Sequence, residues 1–66
     1  MDAVAELVAR IRGGHTASAD EIRALLEGGV DPNLLLDALV AAAEGPESRR
    51  FHRALSLLRD VRAHRV

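Results

Sequence analysis

All five glycines of this chain lie at three places, and they divide the sequence into four segments of helical length. Two places are the pairs Gly13-Gly14 and Gly28-Gly29, and the third is Gly45, which directly precedes Pro46. Glycine is favoured just past the end of a helix, and proline is favoured in the first turn of the next one. The chain has 66 residues and no cysteine, so tight helix packing, a partner, or both must stabilise the fold in place of disulfide bonds.

Apolar residues recur at helical spacing within each segment, and capping residues mark where the segments begin. Asp2, Ser18 and Asp31 stand at the predicted N-cap positions, where their side chains accept hydrogen bonds from free backbone N–H groups. Glu21, three residues after Ser18, completes a capping box. The pattern predicts helices over about residues 2–13, 19–27, 32–44 and 46–63. The expected fold class is all-α, a compact four-helix domain of two stacked helical hairpins that covers residues 1–66.

The third predicted helix is apolar on almost every side. Its apolar residues are Leu34, Leu35, Leu36, Ala38, Leu39, Val40, Ala41, Ala42 and Ala43. A helix with this pattern is buried on most of its circumference. We therefore expect it to be the central helix, or to present one face to another chain.

The fourth predicted helix is amphipathic and rich in arginine. Six of the nine arginines lie between Gly45 and Val66, where only two acids oppose them, so this segment has a net charge of +4. The first 44 residues hold eight acids against three arginines, a net charge of −5. Such asymmetry indicates a partner, which is a nucleic acid, another chain or the acidic part of the same fold. We expect the fold itself, or a second copy of it, to be the first partner of these arginines.

The candidate partner-binding residues combine this basic helix with two leucines of the third helix. They are Arg49, Arg53, Arg59, Arg62, Arg65, Leu34 and Leu35. Arginine suits the rim of such a contact because its guanidinium pairs with carboxylates, and leucine suits the apolar centre.

Two segments resemble parts of a known repeat family. Residues Leu25–Asn33 resemble the end of the second helix of an ankyrin repeat, and Leu39–Gly45 resembles the end of its first helix. The resemblance implies helical hairpins. The Thr-Pro-Leu-His turn of that family is absent, so no function is carried over from it.

The sequence offers little equipment for catalysis or for binding a metal or cofactor. Thiolate ligands are excluded, and His52 and His64 stand twelve residues apart, about 18 Å along a helix, too far to share an ion. The few hydroxyl side chains have no base and orienting group in a recognisable pattern. We expect no enzymatic activity, no cofactor and no small-molecule substrate. The longest apolar run is too short to span a bilayer, and no secretory signal is visible, so a cytoplasmic location is expected.

The expected function is protein–protein interaction, as a small adaptor, docking or regulatory module that self-associates. The alternative is a nucleic-acid-binding regulator that uses the arginines of the fourth helix. Against it stand the negative net charge and the lack of polar side chains on the third helix to contact bases. A designed bundle without a natural function is a second alternative, since the caps at Ser18, Asp31 and Pro46 are close to ideal.

Overall fold

The computed structural model describes residues 2–45 and 48–63, which form four α-helices and no β-strand. The helices are α1 (Ala3–Arg12), α2 (Ala19–Glu27), α3 (Pro32–Ala43) and α4 (Ser48–Ala63). These bounds confirm the predicted all-α four-helix domain, with each of the first three helices ending within a residue of its predicted end. The predicted start of the fourth helix at Pro46 falls outside the described residues.

The predicted caps form as the sequence indicates. The side chain of Asp2 accepts from the backbone N–H of Val4 at 3.0 Å, and that of Asp31 accepts from the N–H of Asn33 at 2.9 Å. Ser18 Oγ accepts from the N–H of Glu21 at 3.2 Å, and the Ser18 N–H donates to Glu21 Oε1 at 3.0 Å. Both bonds of the capping box are therefore present, and the starts of three helices are fixed by local chemistry.

The helix packing centres on α3 and α4. α3 packs against α4, α1 lies mainly on α3, and α2 lies mainly on α4. α3 is central as expected, but α4 holds an equivalent position, because each of them packs extensively against two other helices, whereas α1 and α2 each pack extensively against one. All four helices contribute to one core, whose buried residues are Leu7, Ile11, Ala17, Ile22, Leu26, Leu35, Leu39, Ala42, Phe51, Ala54, Leu58 and Val61.

Seven of the twelve residues of α3 are buried or half-buried, but one arc of the helix is exposed. Leu35, Leu39 and Ala42 are buried, whereas Leu34 is 62% exposed and Val40 is 47% exposed. The physical reason is the small number of neighbours: α1 and α4 cover two flanks of α3, and the described part of the chain has no further helix to cover the outer arc. Apolar side chains on that arc therefore remain in contact with solvent.

α4 is the longest helix, with 16 residues, and its apolar stripe faces the core as predicted. Phe51, Ala54, Leu58 and Val61 are buried, and Leu55 is half-buried at the edge of the stripe. No helix in the described part of the chain combines the length and the apolar character that crossing a membrane requires.

Candidate functional site

An open groove of about 580 Å³ runs between α3 and the C-terminal half of α4. It is lined by Leu36 and Val40 of α3 and by Leu55, Leu58, Arg59, Arg62 and Ala63 of α4. A second depression, of about 370 Å³, lies between α1 and α3, but alanine and valine make up most of its lining. Because larger side chains bury more apolar area, the α3–α4 groove is the stronger candidate for a docking surface.

The groove has an apolar floor and two different walls. Leu58, only 1% exposed, forms the floor. Leu36 and Val40 are four residues apart and therefore lie on the same face of α3, which forms one wall. On α4, Arg59 follows Leu55 by four residues and Arg62 follows Arg59 by three, so these three side chains lie on one face of the helix. The opposite wall of the groove therefore combines an apolar side chain with two cationic ones.

The two rims of the groove carry opposite charges. On α3, the exposed Asp37 precedes Val40 by three residues and the exposed Glu44 follows it by four, so both lie beside Val40. On α4, the rim is formed by Arg59 and Arg62. Within residues 2–45 and 48–63, no ion pair involves either arginine. The groove therefore offers an apolar centre between an acidic edge and a basic edge.

Of the two expected first partners of the α4 arginines, the fold itself or a second copy, the first receives no support from the four described candidates. Arg49, Arg53, Arg59 and Arg62 form no ion pair with acids of α1, α2 or α3 in the described part of the chain. Within the first 23 residues, Arg10 and His15 pair with Glu21, and Arg23 pairs with Asp20.

The predicted arginines therefore do not form one site. Arg59 and Arg62 meet at the groove, whereas Arg49 and Arg53 are exposed elsewhere on α4. Arg53 and Arg59 are six residues apart, which places them about 120° apart around the helix. Arg65 lies outside the described residues.

The two predicted leucines separate in the same way. Leu35 is 0% exposed and belongs to the core, so it is corrected from a partner-binding residue to a core residue. Leu34, at 62%, is more exposed than Val40, but it does not line the groove. It lies about 120° from Val40 around α3, with Asp37 between them. Val40, Leu36 and Leu55 were missed, because only the packing of α3 against α4 shows which apolar positions remain open.

A polar cluster at the junction of α1 and α2 was also missed. The Glu21 carboxylate accepts from the Arg10 guanidinium at 2.5 Å and lies 2.7 Å from His15 Nε2, in addition to its capping bond with Ser18. Burial alone would raise the pKa of Glu21. The hydrogen bonds from His15 and from the Ser18 backbone, with the charges of His15 and Arg10, outweigh burial and hold that pKa below its usual value.

One sequence pattern could have predicted this cluster: a capping-box glutamate lies close in sequence to basic residues at the end of the preceding helix. The hydrogen bonds among Arg10, His15, Ser18 and Glu21 tie the end of α1 to the start of α2. His52 also has a local partner, since its Nδ1–H donates to the Ser48 carbonyl at 2.8 Å. His64 lies outside the described residues. Among the residues that the structure describes, no three acidic, histidine or cysteine side chains are arranged to hold a metal ion.

Comparison with known proteins identifies no relative of this chain. No family model matches the chain, and no curated protein and no solved structure is significantly similar to it. The resemblance to ankyrin repeats therefore remains local, and function has to be argued from the groove itself.

Proposed function

We propose that this protein is a small interaction module, of the adaptor, docking or regulatory kind, that self-associates through the α3–α4 groove. The single observation that carries the proposal is the pairing of a half-exposed valine, Val40, with an apolar groove that has one acidic and one basic edge. A cytoplasmic location belongs to the same proposal.

The size of the chain sets the strength expected of this association. The whole chain exposes 4404 Å². A standard stable interface takes about 800 Å² from each partner, which here is nearly a fifth of the surface. The groove covers only part of the length of two helices, so the interface belongs at the small, reversible end of the range. We expect a dissociation constant on the order of micromolar or weaker.

The apolar centre supports a protein partner over a nucleic acid. A phosphate backbone is bound by several cations that face one way. Here Arg53 and Arg59 point in directions about 120° apart, and the exposed Asp60 lies on the same helix. The acidic edge beside Val40 would repel phosphate groups, whereas a second protein surface would bury the valine and pair with both edges.

Sedimentation velocity over a range of protein concentrations tests the proposal. Val40→Gln removes apolar area from the groove and adds an amide that docking must desolvate, so we expect association about tenfold weaker. Leu34→Gln is the matched control: it makes the same kind of change on α3, outside the groove, and we expect wild-type association. Circular dichroism confirms that both variants keep their helices.

A wild-type chain that stays monomeric at millimolar concentration would overturn the proposal. The opposite pattern, with Leu34→Gln weakening association and Val40→Gln leaving it unchanged, would move the docking surface to the other flank of α3. Fluorescence anisotropy with labelled DNA and RNA at low salt tests the nucleic-acid alternative. Tight binding that is lost in the Arg49→Ala, Arg53→Ala double variant would favour that alternative.

A further inference from the structure

The geometry points to a specific arrangement of the self-associated form: two copies related by a two-fold axis along the groove, with Asp37 of one copy paired to Arg59 of the other. This inference rests on the proposed self-association and adds its symmetry and its charge pairs. The occupant of the groove is then the same groove in a second copy.

The two edges of the groove make it complementary to itself. A half-turn about an axis that runs along the groove places α3 of one copy opposite α4 of the other. The apolar walls of the two copies then meet at the centre. The acidic edge beside Val40 faces the partner's basic edge, which carries Arg59 and Arg62, and the reverse holds on the other side. A two-fold contact of this kind uses one surface patch twice, which is the commonest form of protein dimer.

The positions of the charges along the groove select Asp37 and Arg59. The short connection between α3 and α4 makes these neighbours antiparallel. Measured from the connector, Asp37 lies six residues back from the end of α3, and Arg59 and Arg62 lie eleven and fourteen residues into α4. At 1.5 Å per residue, Arg59 is therefore the nearer of the two groove arginines, offset from Asp37 by about 7 Å along the groove. A half-turn about the groove axis leaves this offset unchanged, and an extended arginine side chain spans it, so Asp37 pairs with the partner's Arg59.

The remaining charges argue against other arrangements. Glu44 lies seven residues beyond Asp37, about 10 Å along α3, toward the connector and away from Arg59. A two-fold axis across the groove would instead place α3 on α3 and α4 on α4. That arrangement brings the acidic edges together and the two arginine edges together, which like-charge repulsion disfavours. The charge pattern therefore selects the axis along the groove.

Reciprocal charge reversal tests the pairing. Asp37→Arg gives a chain with two basic positions, and Arg59→Glu gives a chain with two acidic positions. In a pure sample of either variant, both cross-pairs become repulsive, so we expect self-association at least about tenfold weaker than wild type at low salt. In an equimolar mixture, each basic position meets an acidic one. We expect the mixture to form a heterodimer with affinity close to that of the wild-type dimer.

Arg53→Glu is the matched control, because it makes the same charge change on an exposed part of α4 that does not line the groove. We expect it to associate like wild type. Circular dichroism on each sample confirms the fold before sedimentation equilibrium measures the dimer fraction.

The possible outcomes distinguish a failure of the proposed self-association from a failure of the Asp37–Arg59 pairing. A wild-type chain that never associates removes the proposed function and, with it, this arrangement. A wild-type chain that associates while Asp37→Arg and Arg59→Glu associate equally well leaves the function intact and overturns the pairing. Two variants that are monomeric both alone and in the mixture also overturn it. Recovery in the mixture alone supports it.

Discussion

The Arg10 guanidinium and the Glu21 carboxylate form an ion pair of 2.5 Å that joins the end of α1 to the start of α2. The same carboxylate closes the capping box with Ser18, so one side chain serves both the start of a helix and its attachment to the preceding one. The stability that this group contributes depends on its ionised form.

Acid should therefore weaken the fold through Glu21. Its pKa is lowered in the folded state, so its contribution is complete above its unfolded pKa and is lost as the pH falls through the folded pKa. In Glu21→Gln, the amide keeps a hydrogen-bond acceptor but does not titrate. We expect thermal melts followed by circular dichroism to show a smaller loss of stability from pH 6.5 to about pH 3 in Glu21→Gln than in wild type.

Glu27→Gln is the control for that measurement, because Glu27 is an exposed acid on the same helix and forms no ion pair in the described part of the chain. An acid response as small in Glu27→Gln as in Glu21→Gln would show that the cluster contributes nothing specific.

The start of α3 should depend on the Asp31 side chain. Replacing it by alanine removes the acceptor for the Asn33 N–H, and we expect a loss of about 1 kcal/mol in the free energy of unfolding. Urea denaturation measures this loss. Asn33→Ala is the control, since Asn33 supplies only its backbone N–H to the cap. A urea denaturation curve of Asp31→Ala that matches wild type would mean that the cap contributes nothing to stability.

Two adjacent leucines should differ sharply when each is truncated. Leu35 is fully buried, so Leu35→Ala should cost about 2–5 kcal/mol through lost burial and the cavity left behind. Leu34 is 62% exposed, so Leu34→Ala should change stability by less than about 0.5 kcal/mol. In a domain this small, we expect the first variant to be largely unfolded. Equal effects in urea denaturation would contradict the orientation of α3.

The two glycines after α1 should also behave differently. Gly14 has φ +113°, which side chains rarely adopt, so Gly14→Ala should destabilise the fold by about 1–3 kcal/mol. Gly13 has φ −81°, and a Cβ there would make ordinary contact at 3.5 Å with the Arg10 carbonyl. We expect Gly13→Ala to be neutral or slightly stabilising. Equal thermal stability of the two variants would show that the turn relaxes to accept a side chain.

The parts of this structure that local chemistry decides could be predicted from the sequence. Ser18, Asp31 and the glycine pairs act on backbone groups a few residues away, so their positions alone indicated where helices begin and end. The amphipathic stripe of α4 was predictable for a similar reason, because its apolar residues share one face.

The candidate site could not be predicted in the same way. Because α3 is apolar on nearly every side, its pattern does not show whether Leu34, Leu35 or Val40 is covered. The answer depends on where α1 and α4 pack, which is a property of the whole fold. The charge pattern of the groove also depends on the whole fold. Asp37 and Arg59 lie on opposite edges of one surface only after α3 has packed on α4.

The packing partners of α1 and α2 have a consequence for how this chain folds during synthesis. α1 and α2 each pack mainly on a helix that lies about thirty residues later in the chain. The first half therefore emerges from the ribosome before either of its main packing partners exists. Two short isolated helices are marginal in water, so this half stays without a core until α3 and α4 follow. The protein should fold as one cooperative unit, and a fragment that ends before α3 should show little helix.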